Sequence, residues 1–180
     1  MLFSTVALGQ AQYIVGTKTN ESTCQATILD SGGGGAGGPY SNNESQTITI
    51  CPSTPGDYIS LVWTVFTLNG TNTSGVPNTT NADNITIYNA ATADPTYTLG
   101  TYYAGDLTAG DVFGANLALN PGGNGCLTIE FTSDGSANTS GWAATVSCYE
   151  PCQTIVSQID SASPAPNGDV YIWVCPGEDI

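Results

Sequence analysis

The segment Gln46-Thr-Ile-Thr-Ile-Cys51 alternates polar and apolar residues with a period of two. This alternation predicts a β-strand that buries one face and exposes the other. Similar alternation recurs at 84–88, 127–131 and 142–148. Tyr58 to Phe66 is a longer apolar stretch, rich in β-branched and aromatic residues. We expect it to form a central strand, with Trp63 in or near the core.

Segments rich in turn-forming residues separate these strands. Glycine is clustered at 32–38 and in Pro121-Gly-Gly-Asn-Gly125, and residues 69–84 are rich in Asn and Thr. Such segments form turns and loops, and almost nothing in them has the pattern of a helix. The sequence therefore predicts an all-β protein with the architecture of an antiparallel jelly-roll β-sandwich.

The charged residues are almost all acidic. Lys18 is the only basic residue, His and Arg are absent, and 15 carboxylates bring the formal net charge to −14. A nucleic-acid partner is excluded, because its phosphates would need Lys and Arg. Mechanisms with a His general base and zinc sites built on imidazole are excluded too. Carboxylates alone can bind a hard cation through oxygen or, less readily, hydrolyse glycosides as a pair.

The amino terminus has features of the end of a signal peptide. Residues 1–11 contain a short apolar run that ends in small residues, and we expect cleavage after Ala11. The basic segment that opens such a peptide is missing, so we expect the true start to lie upstream of Met1. An apolar first strand is the alternative. No other apolar run approaches the roughly 20 residues of a membrane-spanning helix, so no membrane insertion is expected.

The six cysteines are an even number in a chain that we expect to be exported, and this indicates disulfide bonds. They are Cys24, Cys51, Cys126, Cys148, Cys152 and Cys175. Their order along the chain suggests the pairs Cys24–Cys51, Cys126–Cys148 and Cys152–Cys175, although other pairings are open. Metal ligation is the alternative, but neither a Cys-x-x-Cys motif nor a His accompanies them.

The composition changes after Cys148. A Ser-, Ala- and Pro-rich stretch at 160–168 precedes a second strand-like segment, Asp169-Val-Tyr-Ile-Trp-Val-Cys175. Two strands cannot bury a core alone. We therefore expect 149–180 to be a linker and the beginning of a truncated second β-domain of a longer protein. Residues 12–23 are a lead-in to the sandwich, which we place at 24–148.

A series of short motifs runs from the first cysteine to the fourth. They are Cys24, Asp30-Ser-Gly-Gly, Gly38-Pro-Tyr40-Ser-Asn-Asn43, Ile50-Cys51-Pro, Trp63-Thr-Val-Phe66, Asp83-Asn-Ile-Thr-Ile-Tyr88-Asn, Gly125-Cys126-Leu-Thr-Ile-Glu-Phe131, Ser133-Asp134-Gly-Ser136 and Gly141-Trp142. In pattern and order they resemble a CUB domain, a disulfide-bearing β-sandwich of extracellular proteins. The resemblance also implies the Cys24–Cys51 and Cys126–Cys148 bonds, and it does not extend to 152–180.

The resemblance implies a cofactor, because many CUB domains bind calcium through one Glu and two Asp residues. Carried over to this chain, it implies Asp83 and Asp134 as ligands. The Glu position falls near Asn69, which departs from the pattern. Two carboxylates with Asn69, main-chain carbonyls and water suffice for a calcium ion of low affinity. In the alternative, both Asp residues only cap loops.

Several Asn-x-Ser/Thr sequons are candidate glycosylation sites. They begin at Asn20, Asn43, Asn69, Asn72, Asn78, Asn84 and Asn138. Asn72 and Asn78 lie in the longest polar loop and are the best candidates on a eukaryotic protein. The abundance of Asn, Ser and Thr explains so many sequons more simply.

The strongly acidic, Gly- and Asn/Thr-rich sequence, followed by a Cys-bounded β-domain, resembles large surface proteins of gliding bacteria that use type IX secretion. We therefore expect a secreted or cell-surface protein in which this chain is a non-catalytic adhesion or recognition module and not an enzyme. Its expected partners are an extracellular protein or polysaccharide and other domains of the same long chain. The alternatives are an accessory binding domain of a secreted protease or glycoside hydrolase and, least favoured, a self-contained glycosidase.

Overall fold

The structure is a computed structural model that describes residues 10–34, 38–71, 82–151, 153–157 and 170–174. The chain divides into two units, Met1–Tyr149 and Glu150–Ile180. The first unit contains two five-stranded sheets, and the second contains a two-stranded sheet. No α-helix occurs in the described ranges. The predicted all-β class and two-sheet sandwich are confirmed.

The strands of the first unit alternate between its two sheets. The first sheet contains, in spatial order, β1 (Ala11–Ile14), β3 (Gln25–Leu29), β10 (Gly141–Tyr149), β5 (Tyr58–Thr67) and β8 (Val112–Gly114). The second sheet contains β2 (Asn20–Ser22), β4 (Ser45–Cys51), β9 (Leu127–Thr132), β6 (Asn84–Tyr88) and β7 (Thr98–Tyr102), and a 3-10 turn at Pro95–Tyr97 precedes β7. In the second unit, β11 (Gln153–Ser157) pairs with β12 (Val170–Val174) in antiparallel orientation.

The segment 12–23, predicted to be a lead-in, supplies an edge strand to each sheet. Strand β1 pairs with β3 and strand β2 pairs with β4, and both pairs are parallel. The other strand pairs of the sandwich are antiparallel, as predicted. Ala11, the expected last residue before cleavage, is the first residue of β1 and lies opposite Ala26.

The core lies between the two sheets and is built from the apolar residues of the alternating strands. Strand β9 contributes Ile129 and Phe131, which have no exposed surface. The predicted core residue Trp63 is also fully buried, and its ring lies 5.6 Å from that of Trp142. Trp142 in turn contacts Phe131 of the other sheet edge-on, at 5.8 Å. Full burial of each such side chain contributes roughly 1.5–3 kcal/mol to folding.

Two disulfide bonds join the first four cysteines, in pairs that differ from those predicted. The bonds are Cys24–Cys148 and Cys51–Cys126. The pairs Cys24–Cys51 and Cys126–Cys148, suggested by chain order and by the family resemblance, are therefore wrong. Each of them would have linked one sheet to the other, whereas each bond in the structure lies within one sheet.

Strand register explains the pairing. In the first sheet Gln25 of β3 lies opposite Ser147 of β10, so the next residues along the two antiparallel strands also face each other. In the second sheet Ile50 of β4 lies opposite Leu127 of β9, with the same consequence. The adjacent positions are the four cysteines, and facing residues of neighbouring antiparallel strands are close enough for a disulfide.

Other predicted features lie outside the described residues. These are Cys152 and Cys175, the sequons at Asn72 and Asn78, and residues 1–9 of the expected signal-peptide remnant. Within the described ranges, no helix has the length and apolar character needed to span a membrane.

Replacing Cys24 and Cys148 together by Ala should lower the free energy of unfolding by roughly 3–5 kcal/mol, measured by denaturant titration. The reason is that this bond joins residues 124 positions apart, and opening so long a loop restores much entropy to the unfolded chain. The mismatched double variant, Cys24→Ala with Cys51→Ala, breaks both bonds and should be less stable still. Recovery of a Cys24–Cys51 peptide after proteolysis without reductant would contradict the fold.

Candidate functional site

The candidate site lies at one end of the second sheet, where strand pairing brings two predicted calcium ligands together. Asp83 directly precedes β6, and Asp134 follows β9 by two residues. Because Asn84 of β6 lies opposite Thr132 of β9, the start of one strand meets the end of the other. The backbone N–H of Asp134 donates a hydrogen bond to Oδ1 of Asp83 at 2.8 Å.

Asp83 is fully buried, and its second carboxylate oxygen is occupied by a tyrosine. The hydroxyl of Tyr40 donates a hydrogen bond to Oδ2 of Asp83. The same hydroxyl accepts a hydrogen bond from the backbone N–H of Asn69 at 2.9 Å. Tyr40 is itself fully buried and packs edge-on against Phe131 at 5.1 Å. Tyr40 therefore connects the loop after β5 to the acidic site through the core.

Asp134 has one carboxylate oxygen with hydrogen-bond donors and one without. Its Oδ1 accepts hydrogen bonds from the backbone N–H and the hydroxyl of Ser136, at 2.7 and 3.0 Å. Its Oδ2 is buried and has no hydrogen-bond partner among the described residues. A buried carboxylate oxygen without a partner is costly, and native structures usually satisfy such an atom with a donor, water or an ion.

Asn69, the third predicted ligand, joins this site through its main chain only. Its side-chain amide donates to the carbonyl of Thr71 at 2.6 Å, and its Oδ1 accepts from the Thr71 hydroxyl at 3.4 Å. The side chain is thus engaged within its own loop. The structure brings Asp83 and Asp134 together and leaves the Asn69 amide outside the pair.

A second pair of acidic residues, which the sequence did not identify as functional, lies at the same end of the sandwich. Asp30 is fully buried and accepts hydrogen bonds from the backbone N–H groups of Gly32 (2.7 Å), Gly34 (3.2 Å) and Trp142 (2.5 Å). Gly141 has a φ of +82°, and a Cβ at this position would overlap the Asp30 carboxylate. The start of the glycine-rich segment, predicted to form turns and loops, therefore surrounds a buried carboxylate.

Glu44 is the partner of Asp30 in this pair. Its Oε1 accepts hydrogen bonds from the Ser31 hydroxyl and from the backbone N–H of Ser41, at 3.1 Å for the latter. Its Oε2 is buried and has no partner in the described part of the chain. The backbone N–H of Glu44 donates to the Ser133 hydroxyl at 2.9 Å, next to Asp134. The two acidic pairs therefore belong to one set of connected loops.

Hydrogen bonds hold the loops 40–44 and 133–136 against each other. The backbone N–H of Asn43 donates to the carbonyl of Asp134 at 2.7 Å, and the Ser133 hydroxyl donates to the carbonyl of Ser41 at 2.8 Å. The amide of Asn42 donates to the carbonyl of Gly135 at 3.3 Å. A group bound at Asp134 would therefore act on the conformation of both loops.

Burial changes the ionisation of the acidic residues. Burial raises the pKa of Asp83 above its usual range, and the charge of Asp134 raises it further, although the hydrogen bond from Tyr40 lowers it. Burial likewise raises the pKa of Asp30, and the charge of Glu44 makes a smaller contribution in the same direction. Three backbone hydrogen bonds lower it. Burial and the hydrogen bond to Asp83 raise the pKa of Tyr40 to about 12, which keeps its hydroxyl a donor at neutral pH.

The oxygen atoms of Asp83 and Asp134 are ligands of the kind that a hard cation prefers. In the described residues, one cluster of three His, Cys, Asp or Glu side chains has its ligand atoms within 4.8 Å of one another, and it consists of Cys24, Asp57 and Cys148. The two cysteines are joined in a disulfide, so this cluster is not a metal site. A cation held by Asp83 and Asp134 would have two carboxylate residues as ligands, and main-chain carbonyls and water would have to complete its shell.

Comparisons with known proteins show the class of fold. No protein-family model and no curated protein matches the chain. The full extracellular region of zebrafish Gpr126/Adgrg6 is similar at 13% identity and a TM-score of 0.54, over 78% of this chain and 18% of that one. The CUB1-EGF-CUB2 domains of rat MASP-1 are similar at 16% identity and a TM-score of 0.52, over 73% of this chain and 42% of that one. The chain thus spans less than half the length of either.

A Ca²⁺-bound CUB2 domain of MASP-1 is also similar, at 16% identity and a TM-score of 0.47, over 72% of this chain and 96% of that one. At such identities the likeness concerns the fold alone. The likeness to the CUB1-EGF-CUB2 domains, at a TM-score of 0.52, shows that the first unit has a CUB-like β-sandwich fold, as the motifs between Cys24 and Cys148 led us to expect.

In calcium-free buffer, the melting temperature should rise as the pH is lowered from neutral towards 3.8, the ordinary pKa above which those of Asp30 and Asp83 are raised. A carboxyl group with a raised pKa takes up protons on folding, so the free energy of unfolding falls as the pH rises through that pKa. For Asp30 and Asp83, this loss of free energy of unfolding is absent below the ordinary pKa of 3.8 and complete above the raised pKa.

The Asp83→Asn variant should show a shallower pH dependence, because one of the two buried carboxyl groups no longer titrates. Glu150→Gln, which removes an exposed carboxylate, should keep the slope of the unmodified protein. A melting temperature that rises steadily with pH over this interval would contradict the assignment.

Proposed function

We propose that the chain is an extracellular, non-catalytic recognition module whose loops at one end of the sandwich are organised by calcium bound at Asp83 and Asp134. The observation that carries the proposal is the buried, unpartnered Oδ2 of Asp134, a residue whose backbone N–H donates a hydrogen bond to the fully buried Asp83 carboxylate at 2.8 Å. A fully buried carboxylate next to a half-buried one, without a basic neighbour, is unfavourable. A divalent cation removes the repulsion and takes carboxylate oxygens of both residues as ligands.

Calcium fits this site better than other common metals. Calcium takes six to eight oxygen ligands in flexible geometry, which main-chain carbonyls and water can complete. Zinc prefers Cys and His ligands, and the sequence has no His. With two carboxylates we expect a dissociation constant of roughly 10⁻⁴ to 10⁻³ M, as in extracellular calcium modules.

The consequence of calcium binding is a fixed surface made of loops. The loops 40–44 and 133–136 are already linked by hydrogen bonds around Asp134, and the loop at Asn69 reaches Asp83 through Tyr40. A cation at the centre restrains these segments together, so a ligand need not provide the energy to order them. This supports recognition at the loop end of the sandwich.

The non-catalytic part of the proposal rests on the composition. The chain has no His or Arg, and Lys18, the single basic side chain, forms an exposed ion pair with Glu21 at 3.3 Å. The usual proton acceptors near neutral pH are therefore missing. We infer that the module recognises an extracellular protein or polysaccharide and performs no turnover.

For the whole protein, we propose a long secreted surface protein, of the kind that gliding bacteria export by type IX secretion. The two intrasheet disulfides support an oxidising, extracellular location. The full gene sequence tests this context: a protease or glycosidase domain elsewhere would favour an accessory role in a hydrolase, and repeated adhesive domains would favour a surface adhesin.

Calcium at about 100 times its dissociation constant should stabilise the protein by roughly 2.7 kcal/mol, seen as a higher melting temperature. The Asp134→Asn variant should lose most of this shift, since it removes a ligand charge, whereas Glu150→Gln should keep it. Magnesium should stabilise less at equal concentration, because it demands a stricter octahedral shell. An unshifted melting curve for the unmodified protein would overturn the calcium site.

The Asn69→Glu variant should bind calcium at least about ten-fold more tightly, measured by titration calorimetry. A carboxylate cannot donate the hydrogen bond that holds the Asn69 amide on the Thr71 carbonyl, so the longer Glu side chain is released to add a third carboxylate to the site. Asn69→Gln is the matched control, with the same length and no charge, and should bind like the unmodified protein or more weakly. Equal affinity of the two variants would show that position 69 does not reach the cation.

A further inference from the structure

A cavity of about 440 Å³ lies at the opposite end of β9 from Asp134. One wall is formed by residues 51–58, between β4 and β5, and the other by residues 123–126, before β9. The Cys51–Cys126 disulfide joins the two walls. Strand β9 has six residues, so the cavity is roughly 20 Å from the proposed calcium site and is separate from it.

The cavity is braced by covalent and main-chain contacts. The backbone N–H of Ile59 donates to the carbonyl of Gly125 at 2.9 Å, which ties the base of one wall to the other. Gly125 has a φ of +75°, and a Cβ there would overlap the carbonyl oxygen of Asp57, so only glycine permits this approach. The sulfurs of Cys24 and Cys148 lie within 4.8 Å of an Asp57 carboxylate oxygen. Both disulfides therefore lie next to the loop 51–58.

Asp57 is one of the residues that line this cavity, and its carboxylate has no partner among the described residues. The side chain is half-buried, and no hydrogen bond or ion pair joins it to another residue in the described ranges. By contrast, Asp94, Asp106 and Asp111 each accept a backbone N–H hydrogen bond within a turn. A partly buried charge without a partner is unfavourable, and an opposite charge from a ligand would compensate it.

We propose that this cavity binds the side chain of a lysine from a basic segment of another protein, with the ammonium group on Asp57. The lining supplies both surfaces that such a side chain needs. Pro52, Pro55 and Tyr58 offer apolar walls for the methylene groups, and Ser53 and Asn124 offer further hydrogen-bond acceptors. An ion pair in a half-buried cavity is screened less than one on an open surface.

The charge of the chain indicates that the partner is a different protein. Lys18 is the only Lys or Arg in the sequence, and it is paired with Glu21. Two copies of a chain with a formal net charge of −14 repel each other. The same charge attracts a basic partner over a long range and raises its association rate. A basic protein segment is therefore the occupant that the electrostatics favour over a second copy.

The test is a titration of the isotope-labelled 180-residue chain, followed by amide chemical shifts. The probes are the capped tripeptide acetyl-Gly-Lys-Gly-amide and its neutral counterpart acetyl-Gly-Gln-Gly-amide. The Lys peptide should shift amides of 52–58 and 123–126 with a dissociation constant of roughly 1 mM, and the Gln peptide should not shift them. Higher salt should weaken the binding, because it screens the ion pair.

The Asp57→Asn variant should weaken binding of the Lys peptide at least about five-fold, since the ammonium loses its counter-charge. Its fold should be intact, because the replaced carboxylate has no hydrogen bond among the described residues. Glu150→Gln removes the same charge elsewhere and should bind like the unmodified protein. Equal binding by Asp57→Asn, or shifts confined to other residues, would overturn the proposal.

Spermidine, a free polyamine with the same ammonium chemistry, distinguishes the source of the ligand. If spermidine binds in an Asp57-dependent manner and the Lys peptide does not, the cavity takes a free amine and the protein partner is overturned. The titrations are run with and without calcium and should agree. Loss of the calcium site would therefore leave this result unchanged, and the two proposals fail separately.

Discussion

The pairing of β9 with β4 on one side and β6 on the other determines both ends of the first unit. At the start of β9 this register places Cys126 opposite Cys51, and at its end it places Asp134 beside Asp83. A slip of one residue would turn Ile129 and Phe131 out of the core and move both sites apart. The apolar alternation that builds the core therefore also positions the disulfide and the acidic pair.

An almost purely acidic chain has few ways to compensate a buried carboxylate. Asp30 is compensated by three backbone N–H groups, and Asp83 by the Tyr40 hydroxyl and one backbone N–H. Main-chain and hydroxyl donors thus perform the role that Lys and Arg have in other proteins. Such donors are missing at Oδ2 of Asp134 and at the Asp57 carboxylate, among the described residues. Cations from outside the chain are the natural partners of these oxygens.

The first unit shares its fold with extracellular CUB domains but differs from the expected disulfide pattern. Motif order along the chain was sufficient to predict the sandwich, because period-two alternation and glycine-rich turns act locally. It was insufficient to predict the bonds. Cysteines far apart in sequence, such as Cys24 and Cys148, become neighbours only when β3 and β10 pair.

The sequence by itself determined the all-β class, most long strands and the buried position of Trp63. It also restricted the chemistry of the chain to oxygen ligands and acidic surfaces. These properties follow from residue type and spacing, which need no knowledge of distant contacts. Tertiary structure alone decided the cysteine partners, the burial of Asp30, the engagement of the Asn69 amide within its own loop and the half-buried position of Asp57 in a cavity. Each of these depends on which strands are neighbours, because neighbouring strands set the distance and solvent access of groups that are remote along the chain.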